Sequence, residues 1–144
     1  MSNSEIGTIY LEDLSVGLSR TLSKSFHDAE LRAFAELSED RNPLHLDDDY
    51  AKDTLFEGRI VHGMLVASLF SAIIGERLPG HGTIYMGQNL KFMAPVRPGD
   101  LVTAVVTVKS INTEKSRASL ECIASVGDTV VIEGEALVKV PTKG

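Results

Sequence analysis

One cysteine and no tryptophan stand among the 144 residues. A single thiol, Cys122, excludes an internal disulfide and any cysteine metal cluster. It sits in "ASLECIASV", where a buried strand thiol is the expected reading. No apolar run reaches the roughly 18 residues that span a membrane. "MSNSEIGTIYLEDL" has no basic start followed by an apolar stretch, so no signal peptide is read there. Basic excess is missing too: 14 Lys and Arg face 20 Asp and Glu, a net charge of −6. Nucleic-acid binding leaves a basic footprint, and none is visible. Glycine-rich phosphate loops and dinucleotide fingerprints are absent, so no redox cofactor is required. These absences lead to the expectation of a cytoplasmic protein with no nucleic-acid or membrane partner.

What remains is ordinary globular composition, 43% hydrophobic and 24% charged, with no repeat or dividing linker. One domain over 1–144 is expected. "LSRTLSKSF" (18–26) reads as a strand. "DAELRAFAELSE" places Leu31, Phe34, Ala35 and Leu37 near helical spacing, predicting a helix over 28–39 with Asp28 as N-cap. Pro43 disfavours helix at Asn42, and residues 48–53 fit one further turn. "VHGMLVASLFSAIIGERL" (61–78) is apolar nearly all round, which predicts a buried helix. Four alternating runs follow: "GTIYMGQNLKFMAPV", "DLVTAVVTVKSI", "SRASLECIASV" and "TVVIEGEALVKV". "RPGD", "NTEK" and "GD" between them are turn chemistry. Strands joined by short turns argue for an antiparallel sheet, and one long buried helix needs a curved sheet to cover it. The expected class is α+β, with the sheet wrapped around a central helix.

The stretch "SEDRNPLHLDDDY" (38–50) has two readings. It is either a helix-terminating loop whose polar residues cap ends, or an acid/base site in which Asp40 and His45 converge on one water. Asn42 would brace the turn. Asp47, Asp48 and Asp49 lack a calcium-loop pattern, so a solvated acidic turn is preferred to metal binding. Gly63 would open the buried helix. It suits close approach of a carbonyl oxygen to free helix amides, or simply tight packing. His62 reads as a packed or hydrogen-bonded histidine. Ser68 and Ser71 share one helical face, with no base pattern to make either a nucleophile.

"SEDRNPLHLD", then "HGMLVASLFS" beginning seventeen residues after His45, then "GTIYMGQNLKFMAPVRPGD", resembles the MaoC-like (R)-specific enoyl-CoA hydratases. The likeness is to the small bacterial enzymes that supply (R)-3-hydroxyacyl-CoA for polyhydroxyalkanoate synthesis, and it runs from about residue 15 to 140. The Asp-x-Asn-Pro-x-His-x-Asp element joined to His-Gly-Met at this distance is what makes it specific. The resemblance implies the hot-dog fold, a homodimer, an acyl-CoA substrate, and no metal or redox cofactor. It implies water addition to trans-2-enoyl-CoA, with Asp40 and His45 as the acid/base pair. Gly63 would be the backbone oxyanion donor, Asn42 would shape the loop, and Ser71 would lie near the site. Alternatives on the same fold are a dehydratase acting on acyl carrier protein and an acyl-CoA thioesterase; a non-catalytic lipid-binding module is a third. Arg41, Arg59, Lys91 and Arg97 are candidate contacts for coenzyme A phosphates. Acyl length depends on which of Leu65, Leu69 and Ile73 face the pocket.

Overall fold

The computed structural model describes residues 5–144; residues 1–4 of the expected domain lie outside the described residues. Strand β1 (Ser19–Ser25) leads into helix α1 (Asp28–Ser38). Two single-turn helices follow, α2 (Pro43–Leu46) and α3 (Asp48–Ala51), and then the long helix α4 (Gly63–Glu76). Strands β2 (Ile84–Phe92), β3 (Leu101–Asn112), β4 (Arg117–Val126) and β5 (Thr129–Lys139) complete the chain. They form one antiparallel sheet in the order β1-β3-β4-β5-β2.

Helix α4 buries Val66, Ala67, Leu69, Phe70, Ile73 and Ile74. Opposite it, alternate residues of β3 (Val102, Ala104, Val106, Val108) and of β4 (Ala118, Leu120, Cys122, Ala124) point inward. Each fully buried large side chain here contributes about 1.5–3 kcal/mol. The result is the expected hot-dog arrangement of a sheet curled around one long helix. The β4–β5 hairpin closes on Gly127, whose φ of +57° suits a residue without Cβ. Cys122 is buried, and burial pushes its thiol up to about 11.

The strand order departs from a simple meander. "RPGD" does form a turn, with the Arg97 amide donating to the Asp100 carboxylate at 2.8 Å. It does not join neighbours, because β2 pairs with β5 while β3 pairs with β1 and β4. Residues 93–100 carry the chain from one edge of the sheet towards the other. Crossing three inter-strand spacings takes about 14 Å, which a two-residue hairpin cannot span.

Gly134 on β5 holds the β2 edge close. A Cβ there would overlap the Asn89 carbonyl oxygen and lie 3.3 Å from the Asn89 side-chain oxygen. That side-chain oxygen already accepts from the Glu135 amide at 3.1 Å. Gly134→Ala should therefore destabilise the protein by about 1–3 kcal/mol. Thermal unfolding checks this, and an unchanged midpoint would show that the edge moves freely.

Candidate active site

The polar loop is built by successive caps. Helix α1 starts at Asp28 rather than being capped by it: the His27 amide donates to the Glu30 carboxylate at 3.0 Å. Asp28 instead takes Arg32 at 2.9 Å and Arg59 at 2.7 Å. The hydrogen bond from Arg32, with the positive charges beside it, holds the Asp28 carboxyl below its ordinary range. The helix ends where Glu39 turns left-handed at φ +66°. Asp40 then accepts from the Asn42 amide at 3.2 Å, and Asn42 accepts from the Leu44 amide at 3.1 Å. Asn42 is extended, as a residue before proline should be, and Pro43 opens α2 at its first position. What reads in sequence as an irregular loop is thus a capped helical turn. Asp47 accepts from the Tyr50 amide at 3.1 Å and caps α3, giving the acidic cluster a structural use.

His45 sits in α2 and is 8% exposed. Its Nδ1 lies 2.8 Å from the Ile60 carbonyl oxygen. A carbonyl only accepts, so Nδ1 carries the proton and Nε2 is left free. A carboxylate oxygen of Asp40 and ring nitrogens of His45 and His62 all lie within 4.8 Å of one another. The trio is a poor cage for a cation. The His45 and His62 rings stack at 3.9 Å with 27° between planes, so their in-plane lone pairs run side by side instead of converging.

Beside this group lies a cavity of about 430 Å³ whose lining includes Asp40, Phe56, His62, Gly63, Phe92 and Ile132. Gly63 is the first residue of α4, and neither its amide nor that of Met64 finds an acceptor among the described residues. Free amides at a helix start present positive partial charge to whatever enters. The Phe92 ring packs directly on Gly63: a Cβ there would meet Cε1 at 2.5 Å.

Asp40 and Gly63 therefore line one cavity; His45 lies within 4.8 Å of Asp40 and Asn42 is hydrogen-bonded to the Asp40 carboxylate, though neither of these two lines the cavity itself. Ser71 is farther off. It is exposed, eight residues and about 12 Å of helix rise beyond Gly63, outside the cavity lining. Leu65, Leu69 and Ile73 also lie outside that lining. Ser68 bonds back to the Leu65 carbonyl within the helix. Of the basic candidates, Arg59 ties Asp28 and Asp48 together, and Arg41 pairs with Glu36. Arg97 donates to the Gly58 carbonyl at 3.2 Å. Lys91 stands opposite Glu133, on the sheet face turned away from Phe92 and the cavity. Phe56 and Phe92 were not singled out in the sequence; neither belongs to a polar motif, so no local signal marks them.

A MaoC like domain profile matches residues 10–131. A 3-hydroxybutyryl-CoA dehydratase of Methylorubrum extorquens is 50% identical over 139 residues, covering 96% of this chain and 88% of that protein. An (R)-specific enoyl-CoA hydratase of Rhodospirillum rubrum is 48% identical over 144 residues, covering 100% of both. The solved (R)-hydratase from Aeromonas caviae, involved in PHA biosynthesis, superposes with a TM-score of 0.88 at 51% identity. It covers 90% of this chain and 99% of that one.

Proposed function

The chain belongs to the family of MaoC-like domains, and from that premise we propose that it adds water reversibly to trans-2-enoyl-CoA, giving (R)-3-hydroxyacyl-CoA. The observation that carries the reading is the convergence of the Asp40 carboxylate and the His45 ring, within 4.8 Å, beside the cavity onto which the Gly63 amide opens. One water held by the pair loses a proton to it, and its oxygen bonds to the β carbon. The displaced π electrons move towards the thioester oxygen, where the free Gly63 amide stabilises the negative charge. The pair returns a proton to the α carbon, so the net addition is one water. Asn42 keeps the Asp40 loop in shape through the Leu44 amide. The step is redox-neutral and uses only a proton, a water and an amide, which fits the expectation of no cofactor. The reaction connects enoyl-CoA intermediates of fatty acid β-oxidation with precursors of polyhydroxyalkanoate.

The reading includes a single cytoplasmic domain acting as a homodimer. No helix among the described residues is long and apolar enough to cross a membrane. Strand β2 is a free edge carrying exposed Ile84, Met86 and Phe92, and such an edge invites pairing with a second copy. Met64, Ser68 and Ser71 form an exposed stripe on α4 at helical spacing. We assign Ser71 to that interface and not to the cavity. Light scattering should give twice the chain mass, and a monomer would remove the dimer from the reading.

Crotonyl-CoA tests the activity. Loss of the enoyl ultraviolet absorbance without thiol release is expected. Thiol release would point to a thioesterase, and no reaction with crotonyl or longer enoyl-CoAs would point to a carrier-protein dehydratase.

A further inference from the structure

His62 is 1% exposed and lies between two rings and one carbonyl. One face stacks on His45 at 3.9 Å. Phe34 of α1 meets it edge-on at 4.8 Å. Its Nε2 lies 3.1 Å from the main-chain oxygen of Asp40, so Nε2 carries the proton. Its Nδ1 is buried without a partner. A second proton there would be a buried donor with nothing to accept it, which is costly. The Asp40 contact therefore fixes one proton on Nε2, and the unpartnered Nδ1 favours leaving the second nitrogen bare.

Those contacts touch the two groups that the proposed reaction uses. Asp40 is tethered through its backbone. His45 is trapped between the His62 face and the Ile60 carbonyl, which leaves its Nε2 as the reactive nitrogen. We propose that His62 is a positioning residue that sets the separation and orientation of Asp40 and His45. This rests on the reading of those two as the acid/base pair. The groups facing His62 are Phe34 from α1, the Asp40 loop and His45 from α2; only the last two titrate. Burial, the largest influence, and the neighbouring His45 push the His62 ring towards the neutral form, against the opposing pull of Asp40.

Misplacing a reacting group by about 1 Å can cost about 10²-fold in rate. His62→Phe keeps a ring against His45 but removes the donor to Asp40. We expect kcat to fall by about 10–10²-fold with little change in KM. His62→Gln restores a donor and should recover most of that loss. In an Asp40→Asn background, His62→Phe should cost little more, because its effect passes through Asp40. A general structural defect would instead add to the loss in either background. Wild-type kcat in the Phe variant, or equal impairment of Phe and Gln, would overturn the proposal. If the variants fold poorly, imidazole ¹⁵N–¹H correlation spectra of the unmodified protein decide. His62 should show Nε2–H with a bare Nδ1 at about pH 7 to 8, above the ordinary imidazole range; a protonated ring or an Nδ1–H there would overturn it. Activity surviving in Asp40→Asn and His45→Gln would sink the acid/base reading itself. Loss there with normal turnover in His62→Phe would sink only the positioning role.

Discussion

Replacing Asp40 with Asn should lower kcat for crotonyl-CoA hydration by at least about 10²-fold, and replacing His45 with Gln should do the same. Asn keeps the side-chain oxygen that accepts from the Asn42 amide at 3.2 Å, so the loop retains its turn. It lacks a carboxylate able to take a proton. Gln at position 45 keeps a polar end but loses the ring stacked on His62 at 3.9 Å. Losing an aromatic pair costs about 0.5–1.5 kcal/mol beyond the area it buries, which the fold should survive. Near-unchanged circular dichroism with collapsed turnover is the expected pattern. The double variant should be little worse than either single one, since groups that handle one water act as a unit. Near-wild-type turnover in either single variant would defeat the assignment.

Gly63→Ala is the second large effect. The new methyl would lie 2.5 Å from Cε1 and 2.7 Å from Cδ1 of Phe92. Phe92 is 55% exposed, so its ring can swing aside at modest cost to the fold. Wherever it goes, ring or methyl fills space beside the free amide. One oxyanion donor is worth about 10²–10³ in rate, so kcat/KM should fall by about 10²-fold when substrate cannot reach it. Removing the obstruction with Gly63→Ala/Phe92→Ala should recover part of the loss. Full activity in Gly63→Ala would mean that the thioester does not approach this backbone.

Much of the fold was legible because its signals are local. The apolar circumference of α4 and the alternation along β3 and β4 follow directly from burial on all sides or on one face. The place of β2 was not legible, because strand neighbours are set by where residues 93–100 cross, and alternation carries no record of partners. Pro43 misled in one respect. It ends helical geometry before itself, as expected, yet its fixed φ also starts α2. Asp28 looked like a cap, yet its carboxylate is taken by Arg32 one turn along the helix and by Arg59, which lies 31 residues away.

The site divides along the same line. Asp40, Asn42, His45 and Gly63 share two short motifs; residue type and spacing left a capping loop and a packing glycine open, and it was the family likeness that grouped them. The stacking of His62 on His45 depends on how the 46–61 segment folds back, and a spacing of seventeen residues cannot show it. Ser71 followed from family likeness alone; in the single chain it is exposed on α4 and outside the cavity lining. The basic candidates were chosen by nearness in sequence; Arg59 and Arg41 turn out to be held by carboxylates of the chain itself.

The most direct measurement is the handedness of the product. Asp40 lines the cavity and His45 lies within 4.8 Å of the Asp40 carboxylate, so a water held by the pair should reach only one face of the double bond. Crotonyl-CoA hydration should be coupled to dehydrogenases specific for each enantiomer of 3-hydroxybutyryl-CoA, with a thiol reagent in parallel. The expected product is the (R)-alcohol alone, with no free thiol. A racemic product, or released coenzyme A, would contradict water delivery by this pair, and an (S) product would contradict the (R)-specific reading.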